Sequence, residues 1–300
     1  MGSKVSGDYD SEMAPRGSTK GMTVLAFFAA LVALAFWWPV LDVGFLSDDW
    51  LLPQFLVAGS EDPRAVDWPR ALRDFWGPWF GAEGAALYRP LITLSVAVDI
   101  ALGGLEAPWI FHATNLGLHA ACAALSAMIA FRLAATRRRL CAALAGVIFA
   151  LHPVGAESVA WIVARNSSLT SFFMLGAVYG FVRHRQKHAC GVPWLALASS
   201  ILALLCKESA LNLPLLFAGA EVFGRALGSI EPDGRGLAGF VKRHATWLPL
   251  WLAYLGLRLL LFGALSGSAH GEKLSLAQYL SGIDARGALL FVPQALRVGT

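Results

Sequence analysis

Two adjacent carboxylates, Asp48 and Asp49, stand in the stretch Gly44-Phe45-Leu46-Ser47-Asp48-Asp49-Trp50. They follow directly on an apolar run, Met22 to Leu41, about as long as a bilayer is thick. Ionisable groups at that depth are costly and tend to mark working sites. The plainer alternative is a turn that ends the helix, with Ser47 or Asp48 capping the next one. Further on, His112, Asn115 and His119 are spaced three and four apart, so they share a helix face. His152-Pro153 and Lys207-Glu208 each follow an apolar run, and Arg89, Glu157 and Arg165 lie between such runs. Each has a bland reading. His112 and His119 could be hydrogen-bonded packing residues, Arg89 an interfacial anchor, and Lys207 a side chain snorkelling to the headgroups. Glu157 and Arg165 could pair with each other. Jointly, carboxylates and cations gathered on one side of a mostly apolar chain imply a polar cavity. The chemistry this suggests is transfer from a lipid phosphate. A carboxylate accepts the proton of an attacking hydroxyl, and cations stabilise the charge on a departing phosphate. Surrounding apolar helices would hold a long prenyl tail. The Asp, Glu and His side chains could also bind a divalent cation, but no spacing demands one and no cofactor is called for.

The elements that must position these groups are membrane helices. The chain has 300 residues, 57% of them hydrophobic and 15% charged, with a mean hydropathy of +0.58. That composition excludes a soluble domain and implies an all-α polytopic membrane protein. The net charge of +4 comes from short basic clusters between apolar runs. Such clusters are orientation signals, not a nucleic-acid surface. The four cysteines, Cys122, Cys141, Cys190 and Cys206, lack metal-ligand spacing and read as packing residues.

Residues 1–20 are polar and are predicted to be a disordered cytoplasmic terminus, with residues 21–300 forming the membrane module. Lys4, Arg16 and Lys20 precede the first span, which places the N-terminus inside and Asp48-Asp49 outside. Leu51, Leu52, Phe55 and Leu56 share a face of a short helix, and Trp68, Trp76 and Trp79 suggest a segment at headgroup level. The run Leu91–Leu102 is short and interrupted by Asp99, so it reads as an interfacial helix of the first outer loop. With that choice, Trp109–Leu133, Leu140–Leu151, Leu169–Val182, Trp194–Leu205, Leu211–Phe223 and Trp247–Phe262 alternate in direction, giving seven crossings. Three basic clusters then fall inside, and Asp48, Asp49, Arg89, His112, His152, Glu157, Arg165, Lys207 and Glu208 gather outside. The segment Arg286 to Thr300 stops without a closing feature and reads as a truncated C-terminus.

The order of motifs resembles the GT-C class of membrane glycosyltransferases. It runs from Ser47-Asp48-Asp49 through Tyr88-Arg89-Pro90-Leu91 to Phe111-His112 with Asn115 and His119. Phe149-Ala150-Leu151-His152-Pro153, Glu157 to Ala160, Arg165 and Leu205-Cys206-Lys207-Glu208-Ser209-Ala210 narrow the resemblance. It is closest to the transmembrane, tetratricopeptide-repeat O-mannosyltransferases and their bacterial relatives, over roughly residues 22 to 265. The resemblance implies a seven-helix module and inverting transfer of a sugar from a polyprenyl-phosphate donor on the extracytoplasmic face. The acceptor would be a protein or glycan hydroxyl. By motif position Asp48 or Asp49 would be the base, Arg165 and Lys207-Glu208 match later motif positions, and Arg165 and Lys207 are the cations expected to hold the donor phosphate. The chain departs from the pattern at Ala164-Arg165-Asn166-Ser167-Ser168, where relatives often carry an acid. It also has no tetratricopeptide repeats.

A transporter or flippase for the same lipid is the competing class, and a noncatalytic remnant is a third. A transporter would show internal repeats and broken helices at mid-membrane, and the sequence shows neither. The assumed topology is testable by labelling single cysteines from outside. Cysteines replacing Ser47, Gly155 and Ser268 should react, and those replacing Thr136 and His188 should not. External labelling at Thr136 would make Leu91–Leu102 a crossing and shift every later loop.

Overall fold

The computed structural model describes residues 19–57, 62–79, 86–187, 191–232 and 236–263. The polar terminus up to residue 18, His188, Cys190, Ser268 and the segment Arg286–Thr300 lie outside them. Thr19 and Lys20 belong to the first helix, so that helix begins two residues before the expected boundary. The described residues form twelve α-helices, with short 3-10 turns between some of them and no strand. In chain order the helices are α1 Thr19–Trp37, α2 Leu51–Val57, α3 Trp68–Arg73, α4 Pro90–Gly103, α5 Pro108–Leu133 and α6 Arg138–Leu151. Then come α7 Gly155–Ala160, α8 Arg165–Gln186, α9 Trp194–Leu204, α10 Leu213–Ala226, α11 Gly236–Ala245 and α12 Leu248–Phe262. Prolines open several of them: α4, α5, α10 and α12 each carry one in the first two positions. A proline there forfeits no helical hydrogen bond.

Among the described residues, three helical stretches are long and apolar enough to cross a membrane: Thr19–Asp42, Pro108–Leu133 and Gly236–Phe262. Pro90–Gly103 and Trp194–Leu204 are apolar but shorter. The 14 residues of α4 reach about 21 Å, less than the ~30 Å of a hydrocarbon core. The fold is therefore an all-helical membrane protein. Side-chain contacts fix the helix directions. Gly146 of α6 approaches Ala29 of α1 and Ala127 of α5. Nearer the other ends of these helices, Trp37 of α1 donates to the Ala150 carbonyl and His119 of α5 also meets that carbonyl. Hence α1 and α6 run one way and α5 the other. The N-terminal half of α5 meets the start of α8 through Asn115 and Arg165. Its C-terminal end meets the end of α8 through Arg132 and Gln186, so those two are parallel. Gly180 of α8 lies against Ala196 of α9 and Gly176 against Ser199, which makes α9 antiparallel to α8. Arg185 and Glu221 bring the ends of α8 and α10 together. Trp251 reaches back to Leu211 and Arg258 to Glu208, so α12 is antiparallel to α10. Seven helices, α1, α5, α6, α8, α9, α10 and α12, thus alternate in direction.

The packing is that of helices in lipid. α1 buries Met22, Ala26, Ala29 and Ala33 and exposes Val24, Phe27, Phe28 and Leu31. Small residues face the bundle and large ones face out, which is how helices associate when lipid is as apolar as the side chains. A Cβ on Gly146 would lie 2.6 Å from the Ala29 Cβ, and one on Gly180 would lie 2.8 Å from the Ala196 nitrogen. These glycines set how close α6 and α9 come.

Polar groups segregate to the two ends of the bundle. One end carries Asp48, Asp49, Arg165, Lys207 and Glu208. At the other, Glu221 is fully buried among Arg185 at 3.4 Å, Arg225 and Arg243 at 2.5 Å, and His244 at 3.1 Å. This basic end ties α8, α10 and α11 together. α11 turns Arg243 and His244 onto Glu221 and leaves Leu237 and Val241 exposed. Glu221→Ala would leave three guanidinium groups without their common counter-charge. Those groups keep 14–22% exposure, so the expected loss is about 3 kcal/mol, the lower end for breaking a buried pair. Thermal unfolding in detergent reads this as a clear fall in Tm; an unchanged Tm would show that the cluster does not hold these helices.

Candidate functional site

The site is built at the aspartate end from the turns that follow α1, α6 and α9. After α1, the chain runs through a 3-10 turn, Trp38–Asp42, into a second one, Ser47–Trp50. Ser47 enters that turn with φ 49°, in the left-handed region, a conformation that is sparsely populated and often found at functional sites. The two carboxylates that follow diverge. Asp49 is fully buried, and its oxygens accept the Leu46 N–H at 2.9 Å and the Val163 N–H at 2.9 Å. Asp48 is half-buried and its Oδ1 accepts the Trp161 indole N–H at 3.0 Å. Asp49 therefore joins the first turn to the backbone before α8, while Asp48 retains an oxygen with no hydrogen bond among the described residues.

Arg165 opens α8 four residues before the expected start, and it is fully buried. Its Nε donates to Asn115 Oδ1 at 2.8 Å and its Nη2 to the Phe111 carbonyl at 2.8 Å. Its Nη1 lies 2.5 Å from Asp99 Oδ2, without the alignment of a good hydrogen bond, so that contact is chiefly Coulombic. Asp99 also accepts from Thr114 at 2.8 Å. Arg165 pairs with Asp99 and not with Glu157. Asn115 passes the constraint on: its Nδ2 donates to the Trp161 carbonyl at 3.2 Å, fixing the residue whose indole holds Asp48.

A second group lies where α9 ends. Lys207 Nζ donates to Ser167 Oγ at 3.0 Å and Asn166 Oδ1 at 3.4 Å, both in the first turn of α8. Burial pushes the Lys207 ammonium below the usual lysine range, and the Arg89 charge adds to that, against Glu208 and Glu157. Arg89 stacks over the Trp79 ring at 4.5 Å. Its Nε is buried without a hydrogen-bond partner among the described residues, and burial holds its pKa below the usual range. Glu208 is paired with Arg258 of α12 at 3.1 Å, and Arg258 also donates to the Ala86 carbonyl at 2.6 Å. Glu157 of α7 is exposed. Among the described residues Arg89, Lys207 and Arg258 outnumber Glu157 and Glu208 here, and such an excess of positive charge attracts an anion.

The histidines play other parts. His112 is buried against the Gly44 carbonyl at 3.3 Å, and His119 against that of Ala150 at 3.2 Å. Gly155 is required beside His119, because a Cβ there would lie 2.8 Å from the ring. His152 is exposed and accepts the Val154 N–H through Nδ1. Among the described residues no three His, Cys, Asp or Glu side chains gather as a metal site.

Sequence reasoning treated Asp99 only as an interruption, gave Asn115 no role of its own, and passed over Trp161 and Arg258. A signal existed for Arg258, which is the one charge within the run Trp247–Phe262 and so a functional flag. Trp161 and its indole contact had none.

Alternating apolar helices with a polar, charge-lined end define an all-helical membrane protein with a polar cluster at one bundle terminus. Comparison with known proteins narrows this class. The chain is 31% identical over 218 residues to Protein O-mannosyl-transferase Tmtc2 of Drosophila melanogaster, covering 70% of this chain and 23% of that one. It is 32% identical over 225 residues to Tmtc1 of the same organism, covering 72% and 26%. Against TMTC3 of Homo sapiens it is 27% identical over 226 residues, covering 66% and 23%. The chain is thus homologous to protein O-mannosyl-transferases, the family its ordered motifs resemble, and spans about a quarter of the length of these curated relatives. No family model and no solved structure matches it.

The Arg165–Asp99 pair has a direct test. Arg165→Met leaves Asp99 buried without its counter-charge and should cost about 3–5 kcal/mol. Adding Asp99→Leu should recover most of that loss, since an apolar pair of similar volume is often neutral. Unfolding midpoints of the single and double variants check this; equal losses in both would deny the coupling.

Proposed function

We propose that this chain forms the membrane-embedded centre of an inverting, GT-C-type mannosyltransferase. The donor is a polyprenyl-phosphate-linked sugar in the lipid, and the acceptor is a hydroxyl of a protein or glycan on the extracytoplasmic face. The observation that carries this reading is the division of labour at the aspartate end. One carboxylate, Asp49, is consumed by backbone N–H groups, while its neighbour Asp48 keeps an unengaged oxygen. Arg89 and Lys207 stand at the same end, and among the described residues neither has a carboxylate in hydrogen-bond contact. The names of the homologous proteins support the same chemistry.

In the proposed step the acceptor oxygen forms a bond to the anomeric carbon as the carbon–oxygen bond to phosphate breaks. The bonding pair leaves with the phosphate, and the hydroxyl proton passes to Asp48. Arg89 and Lys207 receive the phosphate charge, the first as a planar fork and the second as a point charge. Glu208 holds Arg258 beside them. Asp49, Arg165, His112 and Glu157 are positioning groups in this scheme, and His152 flanks the site. Release of labelled sugar from a radiolabelled polyprenyl-phosphate donor by purified protein separates this reading from transport or a noncatalytic role.

Asp48→Asn keeps shape but removes basicity, so turnover should fall by a factor of ~100 to 10,000 with donor binding nearly unchanged. Asp49→Asn should instead cost about 1 kcal/mol of local stability, as loss of a cap does, with a modest effect on turnover. Near-parental turnover in both would remove this loop from the chemistry. The same preparation tests Lys207. Its folded pKa is depressed, so it is charged below that value and neutral between it and the ordinary 10.5. Donor affinity should fall as pH rises through that folded value, and Lys207→Met should abolish this edge. In the same window the unfolded chain binds more protons, so this group makes stability rise with pH.

A further inference from the structure

The end of the bundle opposite Asp48 holds a group of cations that the proposed transfer does not use. Arg185 of α8, Arg225 of α10 and Arg243 of α11 converge on the carboxylate of Glu221. That carboxylate is fully buried, while the three arginine side chains keep 14%, 22% and 19% exposure. Glu221 thus gathers them from the protein side, and each stays partly open on the other. Arg183, Lys187 and Lys242 are exposed on the same helix ends. Among the described residues the carboxylates at this end are Glu221 and Glu231. Positive charge is therefore in excess here, and a surface of that kind attracts anions.

Depth and apolar surroundings say which anion. The three arginines stand at the ends of apolar helices, the level at which lipid phosphates lie. α11 is set off from α12 by the turn at Thr246 and Trp247. It directs Arg243 and His244 onto Glu221 and leaves Leu237 77% and Val241 56% exposed, one helical turn apart, with the exposed Lys242 beside them. Phe223 and Leu227 are likewise exposed at the end of α10. A short helix with an exposed apolar face and basic neighbours lies in the membrane interface, its apolar face toward acyl chains and its cations at the phosphates. A soluble phosphate would use the charges alone and leave Leu237 and Val241 in water. We propose that this end is a binding site for an anionic phospholipid, with the headgroup phosphate at Arg185, Arg225 and Arg243 and an acyl chain along Leu237 and Val241. No residue of this site takes part in the proposed transfer, so the two are tested separately.

The test compares the full chain in nanodiscs of phosphatidylcholine alone and of phosphatidylcholine mixed with phosphatidylglycerol. The anionic lipid should raise Tm, because a ligand of the folded state stabilises it. Native mass spectrometry should find phosphatidylglycerol retained in preference to phosphatidylcholine. Arg243→Gln should lower that retention about fivefold, the weight of one basic side chain at an anionic surface. Arg243 also holds helices together, so a second variant is needed. Lys242→Gln combined with Leu237→Ser alters two exposed side chains and leaves the Glu221 contacts in place. Its retention should fall by a similar factor while its Tm in pure phosphatidylcholine stays parental. Equal Tm in the two nanodiscs with equal retention of the two lipids would overturn the site. So would parental retention of phosphatidylglycerol by the Lys242–Leu237 double variant. Glycerol phosphate in solution that raises Tm in pure phosphatidylcholine as far as phosphatidylglycerol does would overturn the lipid in favour of a free-phosphate site.

Discussion

The fully buried guanidinium of Arg165 is the constraint on which the aspartate end depends. Taking such an ion out of water costs several kcal/mol even after relaxation, and only a well-placed counter-ion with further acceptors offsets it. Asp99, Asn115 and the Phe111 carbonyl are those partners. They bring α4 and α5 onto the first turn of α8. Satisfying one charge therefore fixes three helices, and the effect continues outward. Asn115 anchors the Trp161 carbonyl, the Trp161 indole meets Asp48, and Val163, two residues on, donates to Asp49. The position of the carboxylates after α1 is set by an ion pair to which neither belongs.

The rest of the bundle supplies little directional force. In lipid, apolar burial does not drive helix association, so close approach of small residues must do so. Ala29 against Gly146, and Gly180 against Ala196, give that approach. The two polar clusters then act as clamps at opposite ends. Glu221 gathers α8, α10 and α11 at the basic end. Arg165 gathers α4, α5 and α8 at the other. α8 belongs to both clamps, so it joins the two polar ends of the bundle.

The all-helical membrane character was legible because long apolar runs are a strong, redundant signal. Helix boundaries were less so. α8 begins at Arg165, not Leu169, since a polar first turn carries no hydropathy signal even where it is buried. The gathering of the polar groups was legible in part. Asp48, Asp49, Arg89, Lys207 and Glu208 do lie at one end of the bundle. Their partners were not readable, because a partner is chosen by tertiary contact between runs far apart in sequence. Asp99 and Arg165 are separated by 66 positions, and Arg258 and Glu208 by 50. The cavity between α5, α6, α7 and α8 was equally hidden, since it arises where four helices fail to close on one another and not from any motif.

Charge alone does not tell a structural cation from one that receives a ligand; the charge on its acceptors does. Arg165 and Arg258 each face a carboxylate, so their positive charge is cancelled within the protein. Lys207 is held by an amide oxygen and a hydroxyl, which orient it while leaving its charge in place. Arg89 lies over an indole face, which cradles the guanidinium without neutralising it. The same distinction separates the two aspartates. Asp49 meets two backbone N–H groups that engage both of its oxygens. Asp48 meets one indole N–H that aims it and leaves an oxygen with proton-accepting capacity. Neutral partners thus position the groups proposed to react, and full charge or hydrogen-bond compensation marks those that hold the frame.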